Sequence, residues 1–133
     1  MSGWEAQIGA INLIVADLQR SAAFYHDVFG VPAEYQDDDT TMFRFNGTYL
    51  FLHRYPAHQD AVSEDVLRLA QAGVGQFVTF VDDADAVRGE LDQLAVSVIA
   101  GPTDRPWGMR TITFADPGGY TWEINQRLKE GQG

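Results

Sequence analysis

Apolar and polar residues alternate along this chain in short runs, and the runs come in two similar sets. From Ala10 to Ala16, Ile11, Leu13 and Val15 fall on one face and Ala10, Asn12 and Ile14 on the other, the alternation of a strand. The spacing then becomes helical. Leu18, Ala22, Tyr25 and Phe29 share a stripe, Asp17 stands where an N-cap belongs, and Gly30-Val31-Pro32 stops the run. Short strands are predicted near Ala33 to Gln36, Thr41 to Phe45 and Thr48 to His53. Asp37-Asp38-Asp39 makes a charged turn between the first two, and Asn46-Gly47 a tight hairpin turn between the last two. Asn46-Gly47-Thr48 also spells a glycosylation sequon; with no secretion signal ahead of it, the stretch reads as a turn.

His53 to Gly75 breaks this rhythm. Ser63 to Ala72 has a helical pattern through Val66, Leu67, Leu69 and Ala70, and reads as a linker helix or flap over about residues 57–74. Gly73-Val74-Gly75 leads into a strand, whereas a phosphate loop precedes a helix N-terminus, so it carries no nucleotide reading. The first pattern then returns. Gln76 to Val81 is a strand, Asp82-Asp83 caps a helix, and Val87, Leu91 and Leu94 form its stripe, which Gly89 weakens slightly. Val96 to Ala100 is a strand, and Gly101 to Trp107 a proline-rich loop. A hairpin closes the set: Thr111 to Phe114 and Tyr120 to Gln126 flank Asp116-Pro117-Gly118-Gly119. Tyr120, Trp122 and Ile124 form its apolar face; Thr121, Glu123 and Asn125 face the other way, as a cleft wall or a solvated face.

The chain is therefore an α+β domain written as two βαβββ modules, about 8–56 and 75–127. The register of the repeat can be read from the sequence. Asp17 and Asp83 follow the first strands, 83 − 17 = 66 positions apart, and Gly47 and Gly119 precede the last strands, 119 − 47 = 72 apart. Ala10 then corresponds to Gln76, and Phe51 to Glu123.

Composition narrows the function. At 45% hydrophobic and 12% aromatic, the 133 residues suit a globular domain. The absence of cysteine removes disulfides, thiolate metal sites and a cysteine nucleophile, and fits a cytoplasmic protein. No signal peptide and no membrane-length apolar run are expected. A net charge of −10 argues against a nucleic-acid partner, which needs a basic stripe, and would favour cationic ligands. No Gly-x-Ser-x-Gly elbow, Walker loop or His-Glu-x-x-His helix is present.

Two stretches carry a family resemblance: Asp17-Leu18-Gln19-Arg20-Ser21-Ala22-Ala23-Phe24-Tyr25 with Phe29-Gly30, and Trp107-Gly108 with Asp116-Pro117-Gly118-Gly119-Tyr120-Thr121-Trp122-Glu123. With them, about Ile11 to Gln126 resembles the vicinal oxygen chelate superfamily: glyoxalases, bleomycin-resistance and fosfomycin-resistance proteins, and extradiol dioxygenases. The small metal-free bleomycin-resistance branch is the nearest in kind. The resemblance implies a curved mixed sheet around a cup, helices on its convex face, and small members that pair as dimers. It also implies metal positions, here Ala10, Phe51, Gln76 and Glu123. Only Gln76 and Glu123 offer ligating atoms, and His53 could join them only if it faces the cup; an ordinary hydrogen-bonded strand histidine is the preferred reading. His26 and His58 lack ligand-spaced partners.

Two functions follow from the resemblance. One is metal-free binding or sequestration of a small aromatic or cationic compound, with no cofactor. The cup would be lined by Asn12, Ile14, Tyr49, Phe51, His53, Gln76, Val78, Phe80, Trp107, Glu123 and Asn125. Glu123 would anchor the ligand by charge, with Gln76 donating an amide N–H to it. The other is a divalent-metal-dependent lyase, isomerase or dioxygenase, in which Glu123 becomes catalytic. Either way the partners expected are a small molecule and a second copy of the chain, because exposed sheet edges are covered in a symmetric pair. Sedimentation at micromolar concentration should show a dimer; a species of monomer mass would contradict the pairing.

Overall fold

A computed structural model describes residues 8–55 and 76–129. The linker helix expected over 57–74 lies outside the described residues. The chain divides into two compact units, which part after residue 72. The first holds β1 (Ala10–Val15), α1 (Leu18–Phe29), β2 (Ala33–Gln36), β3 (Thr40–Phe45) and β4 (Thr48–Arg54). The second holds β5 (Gln76–Phe80), α2 (Ala84–Gln93), β6 (Val98–Arg105), β7 (Met109–Ala115) and β8 (Thr121–Arg127). Each unit is the βαβββ module read from the sequence. The strand orders are β1-β4-β3-β2 and β5-β8-β7-β6, with β1 parallel to β4, β5 parallel to β8, and the remaining pairs antiparallel.

Local chemistry sets the element ends. Asp17 accepts the Arg20 amide at 3.1 Å, and Asp83 accepts the Ala86 amide at 3.0 Å, so each helix starts on an aspartate N-cap. Gly30 ends α1 in the left-handed region (φ 68°), and its amide returns to the His26 carbonyl. One face of each sheet is covered by its helix. In the first unit Leu13, Val15, Phe43, Leu50 and Leu52 lie buried beneath Leu18 and Tyr25, whose ring stacks on Phe29 at 5.8 Å. In the second, Ile112, Phe114, Trp122 and Ile124 are buried beneath Ala84 and Leu91. Arg110 ties this layer together: its Nε donates to Asp104 at 2.7 Å and its Nη1 to Asp85 at 3.1 Å. The hydrogen bond from Arg110 holds the Asp104 carboxyl below its usual range, against a smaller opposing effect of burial. The ion pair is thus present above the ordinary carboxylate pKa and is lost only as pH falls through the lowered one.

Two expectations need correction. Leu94 does not belong to the buried stripe: it is the C-cap of α2 and 44% exposed, while Leu91 carries the contact and Val87 and Phe29 are half-buried. The proline-rich stretch after Ala100 is not a loop. β6 starts at Val98 and continues through it to Arg105, with register shifts between Val98 and Ala100 and between Ala100 and Thr103. β6 is an edge strand, where a bulge tolerates the missing amide of Pro102. Val96 instead closes the turn after α2, donating to the Leu91 carbonyl. Among the described residues, no helix is long and apolar enough to cross a membrane.

Gly101 makes the bulge possible. It sits at φ 99°, a Cβ there would overlap the Thr111 carbonyl oxygen, and Arg88 donates to its carbonyl. Gly101→Ala should therefore destabilise by at least ~1–3 kcal/mol. Gly47→Ala, where an added Cβ meets nothing, should stay within about 1 kcal/mol of wild type. Leu91→Ala, in the core, should cost roughly 2–5 kcal/mol. Chemical denaturation of the three variants checks this ranking.

Candidate functional site

The face of each sheet away from its helix is the candidate surface, and the parallel ladders decide what stands side by side there. In the second unit the pairings are Gln76 with Thr121, Val78 with Glu123 and Phe80 with Asn125. Across the other edge of β8, Thr113 pairs with Glu123 and Thr111 with Asn125. Glu123 therefore sits mid-face between Val78 and Thr113. Val78 and Phe80 are 50% and 58% exposed, an unusual display for apolar strand residues. Asn125 is buried, and its Nδ2 donates to Glu123 Oε1 at 3.0 Å. That amide is the donor; Gln76, expected in this role, is exposed at the start of β5 and makes no bond to Glu123. Among the described residues no arginine or lysine pairs with Glu123. Two cations of the same sheet are engaged elsewhere: Arg127 lies 5.2 Å over the Phe80 ring, and Arg105 Nε donates to Thr111 at 3.2 Å. The half-buried carboxylate has one neutral donor, an apolar flank and no counter-charge among the described residues.

The first unit builds a different surface at equivalent positions. Asn12 and Ile14 of β1 pair with Phe51 and His53 of β4, and Thr40, Met42 and Arg44 of β3 pair with His53, Phe51 and Tyr49. His53 is buried. Its Nε2 lies 3.1 Å from Asn12 Oδ1 and its Nδ1 3.4 Å from Thr40 Oγ1. An amide oxygen only accepts, so Nε2 carries the proton, and in the neutral ring Nδ1 then accepts from the Thr40 hydroxyl. The ring also stacks on Phe51, with centroids 5.7 Å apart and planes within 2°. Tyr49, on the same face, lies under the Arg44 guanidinium at 5.8 Å. Thr40 was not singled out in the sequence, although the Asn46-Gly47 hairpin sets it opposite His53. Trp107 lies on the turn between β6 and β7 and is 68% exposed.

These residues do not fit a resident metal of the usual kind. At the positions carried over from the resemblance, Ala10 and Phe51 have no ligating atom, and Gln76 and Glu123 supply two. A catalytic metal ordinarily takes three protein ligands. Both His53 nitrogens are engaged within the first unit. Among the described residues, no three histidines or carboxylates gather closely enough to hold a metal ion.

Comparison with known proteins agrees with the fold. The model of the Glyoxalase/Bleomycin resistance protein/Dioxygenase superfamily matches residues 7–124, and the chain belongs to that superfamily. Among curated proteins, it is 29% identical over 111 residues to the metallothiol transferase FosB of Lysinibacillus sphaericus, a match spanning 84% of this chain and 75% of the relative. A glyoxalase/bleomycin resistance protein/dioxygenase from Nocardioides superposes with a TM-score of 0.77 at 23% identity, over 98% of this chain and 89% of that one. A lactoylglutathione lyase from Agrobacterium tumefaciens gives 0.70 at 24% identity, over 92% and 94%. At these identities the structures share a fold with this chain, and activity does not carry across.

The His53 assignment is open to direct measurement. Nitrogen-15 spectroscopy of the imidazole should show the neutral, Nε2-protonated tautomer. Thr40→Val, which removes the donor to Nδ1, should cost about 0.5–1.5 kcal/mol in denaturation.

Proposed function

We propose that this superfamily member is a metal-free binding protein for a small aromatic cation, with Glu123 as its anchor. The observation that carries the reading is the Glu123 carboxylate, set among Val78 and Phe80 with Asn125 as its one hydrogen-bond donor. A partly desolvated carboxylate gains most from a ligand cation, and exposed apolar side chains beside it gain from covering an aromatic ring. Asn125, itself buried, fixes the carboxylate's direction. The acidic chain, at −10, would draw cations towards it. A homodimer and a cytoplasmic location belong to the same proposal.

A second reading has one specific support: the relative named as a metallothiol transferase. If this chain is likewise a metal-dependent enzyme, Glu123 is a metal ligand, with Gln76 beside it. The two readings part in one titration. Chelator-treated protein should bind an aromatic ammonium compound such as benzylamine. Glu123→Gln, which keeps the shape, should weaken that binding by roughly ten- to a hundredfold, the effect of losing a charge-assisted contact. Equal affinity for both proteins would make Glu123 a solvated strand residue. Binding that appears only with a divalent ion would favour the enzyme.

A further inference from the structure

The open face of the second unit carries another charge beyond Glu123. Alternation along β8 puts Glu123, Asn125 and Arg127 on that face. Arg127 stands four residues past Glu123, about 13 Å further along the strand at roughly 3.3 Å per residue. Beside them on β5, Val78 pairs with Glu123 and Phe80 with Asn125. The exposed apolar strip of Val78 and Phe80 therefore runs from the carboxylate towards the guanidinium and stops one step short of it.

A cleft of about 610 Å³ opens at this end of the face, lined by Phe80, Val81, Asp82, Gln126, Arg127 and Lys129. The Arg127 guanidinium lies 5.2 Å from the centre of the Phe80 ring, and its N–H groups make no hydrogen bond or ion pair among the described residues. A cation–π contact orients a guanidinium without engaging its N–H groups as hydrogen-bond donors. Lys129 adds a second positive charge to the cleft, against the single carboxylate of Asp82. In a chain with 9 basic and 19 acidic side chains, two cations facing one carboxylate is a local reversal of sign.

The repeat shows that the backbone plan does not demand these charges. With the 72-position offset, 123 − 72 = 51 and 127 − 72 = 55, so Glu123 corresponds to Phe51 and Arg127 to Tyr55. The first unit has aromatic side chains at both places. The second has a carboxylate and a guanidinium, with an apolar strip between them.

We infer that the ligand of this face is zwitterionic: an aromatic amine that also carries a carboxylate, which Arg127 receives. The inference rests on the Glu123 reading and adds the other end of the ligand. The ammonium group lies on Glu123, the ring covers Val78 and reaches the edge of Phe80, and the carboxylate accepts from the Arg127 N–H groups. The guanidinium fork matches a carboxylate through two parallel hydrogen bonds. The ligand's two charges must stand apart, within the ~13 Å between the strand positions. A para-substituted ring supplies that separation and an ortho-substituted one does not. Asp82 repels a doubly charged phosphate more than a carboxylate, which favours the latter.

The test is a calorimetric titration of chelator-treated whole protein with benzylamine, para-(aminomethyl)benzoate, its methyl ester and ortho-(aminomethyl)benzoate. The para acid should bind wild type roughly tenfold tighter than its ester, the effect of one charge-assisted contact. The ortho acid should bind no tighter than benzylamine. In Arg127→Gln, an exposed substitution at the end of β8, the para acid and its ester should bind equally. Equal affinity of acid and ester for wild type, or a difference that survives Arg127→Gln, would overturn the inference and leave the Glu123 reading standing. Failure of wild type to bind any of the four compounds would remove the Glu123 reading, and this inference with it. If the variant does not fold, the ester and the ortho acid on wild type still decide the matter.

Discussion

The parallel ladder between the first and last strand of each unit is the constraint on which the candidate surface depends. Residues about forty positions apart stand side by side because β1 pairs with β4 and β5 with β8. A slip of one residue would turn Glu123 towards the helix and Trp122 outwards, exchanging a core aromatic for a buried charge. The register is therefore held by burial: Trp122 and Ile124 on β8, and Leu50 and Leu52 on β4, must face their helices. What faces the other way is fixed by the same alternation, which is how a stability requirement delivers Glu123, Asn125 and His53 to open faces.

The repeat was legible because its offsets are properties of the backbone. Asn12 opposite Phe51 and Val78 opposite Glu123 reproduce the 66- and 72-position register that the caps and turns imply. Glycine and aspartate signals also placed the helices, since capping is a local effect. The misreadings came from tertiary context. Prolines suggested a loop after Ala100, but β6 is an edge strand with bulges, where a missing amide is harmless. Leu94 fits a helical stripe by spacing, yet the helix ends one residue before it. The polar partners were legible only in part. Alternation puts Glu123 and Asn125 on one face, but nothing in the sequence says that Asn125, and not Gln76, turns its amide to the carboxylate.

Duplication has left two units with one backbone plan and different chemistry at equivalent places. Phe51 corresponds to Glu123 and His53 to Asn125. The first unit resolves its open face internally, through stacking and through hydrogen bonds at both ring nitrogens of His53. The second leaves a carboxylate flanked by exposed apolar side chains. The helix starts differ as well: Gln126 Oε1 accepts the Ala84 amide in the second unit, whereas Arg54, 72 positions earlier, turns its guanidinium to Asp39.

The role proposed for Glu123 is tested most directly by what its carboxylate touches when a ligand is bound. A crystal structure of chelator-treated protein with benzylamine should place the ammonium nitrogen on the Glu123 carboxylate and the ring over Val78 and Phe80, with no metal ion between them. A metal ion on Glu123, with the ligand held through it, would contradict the account.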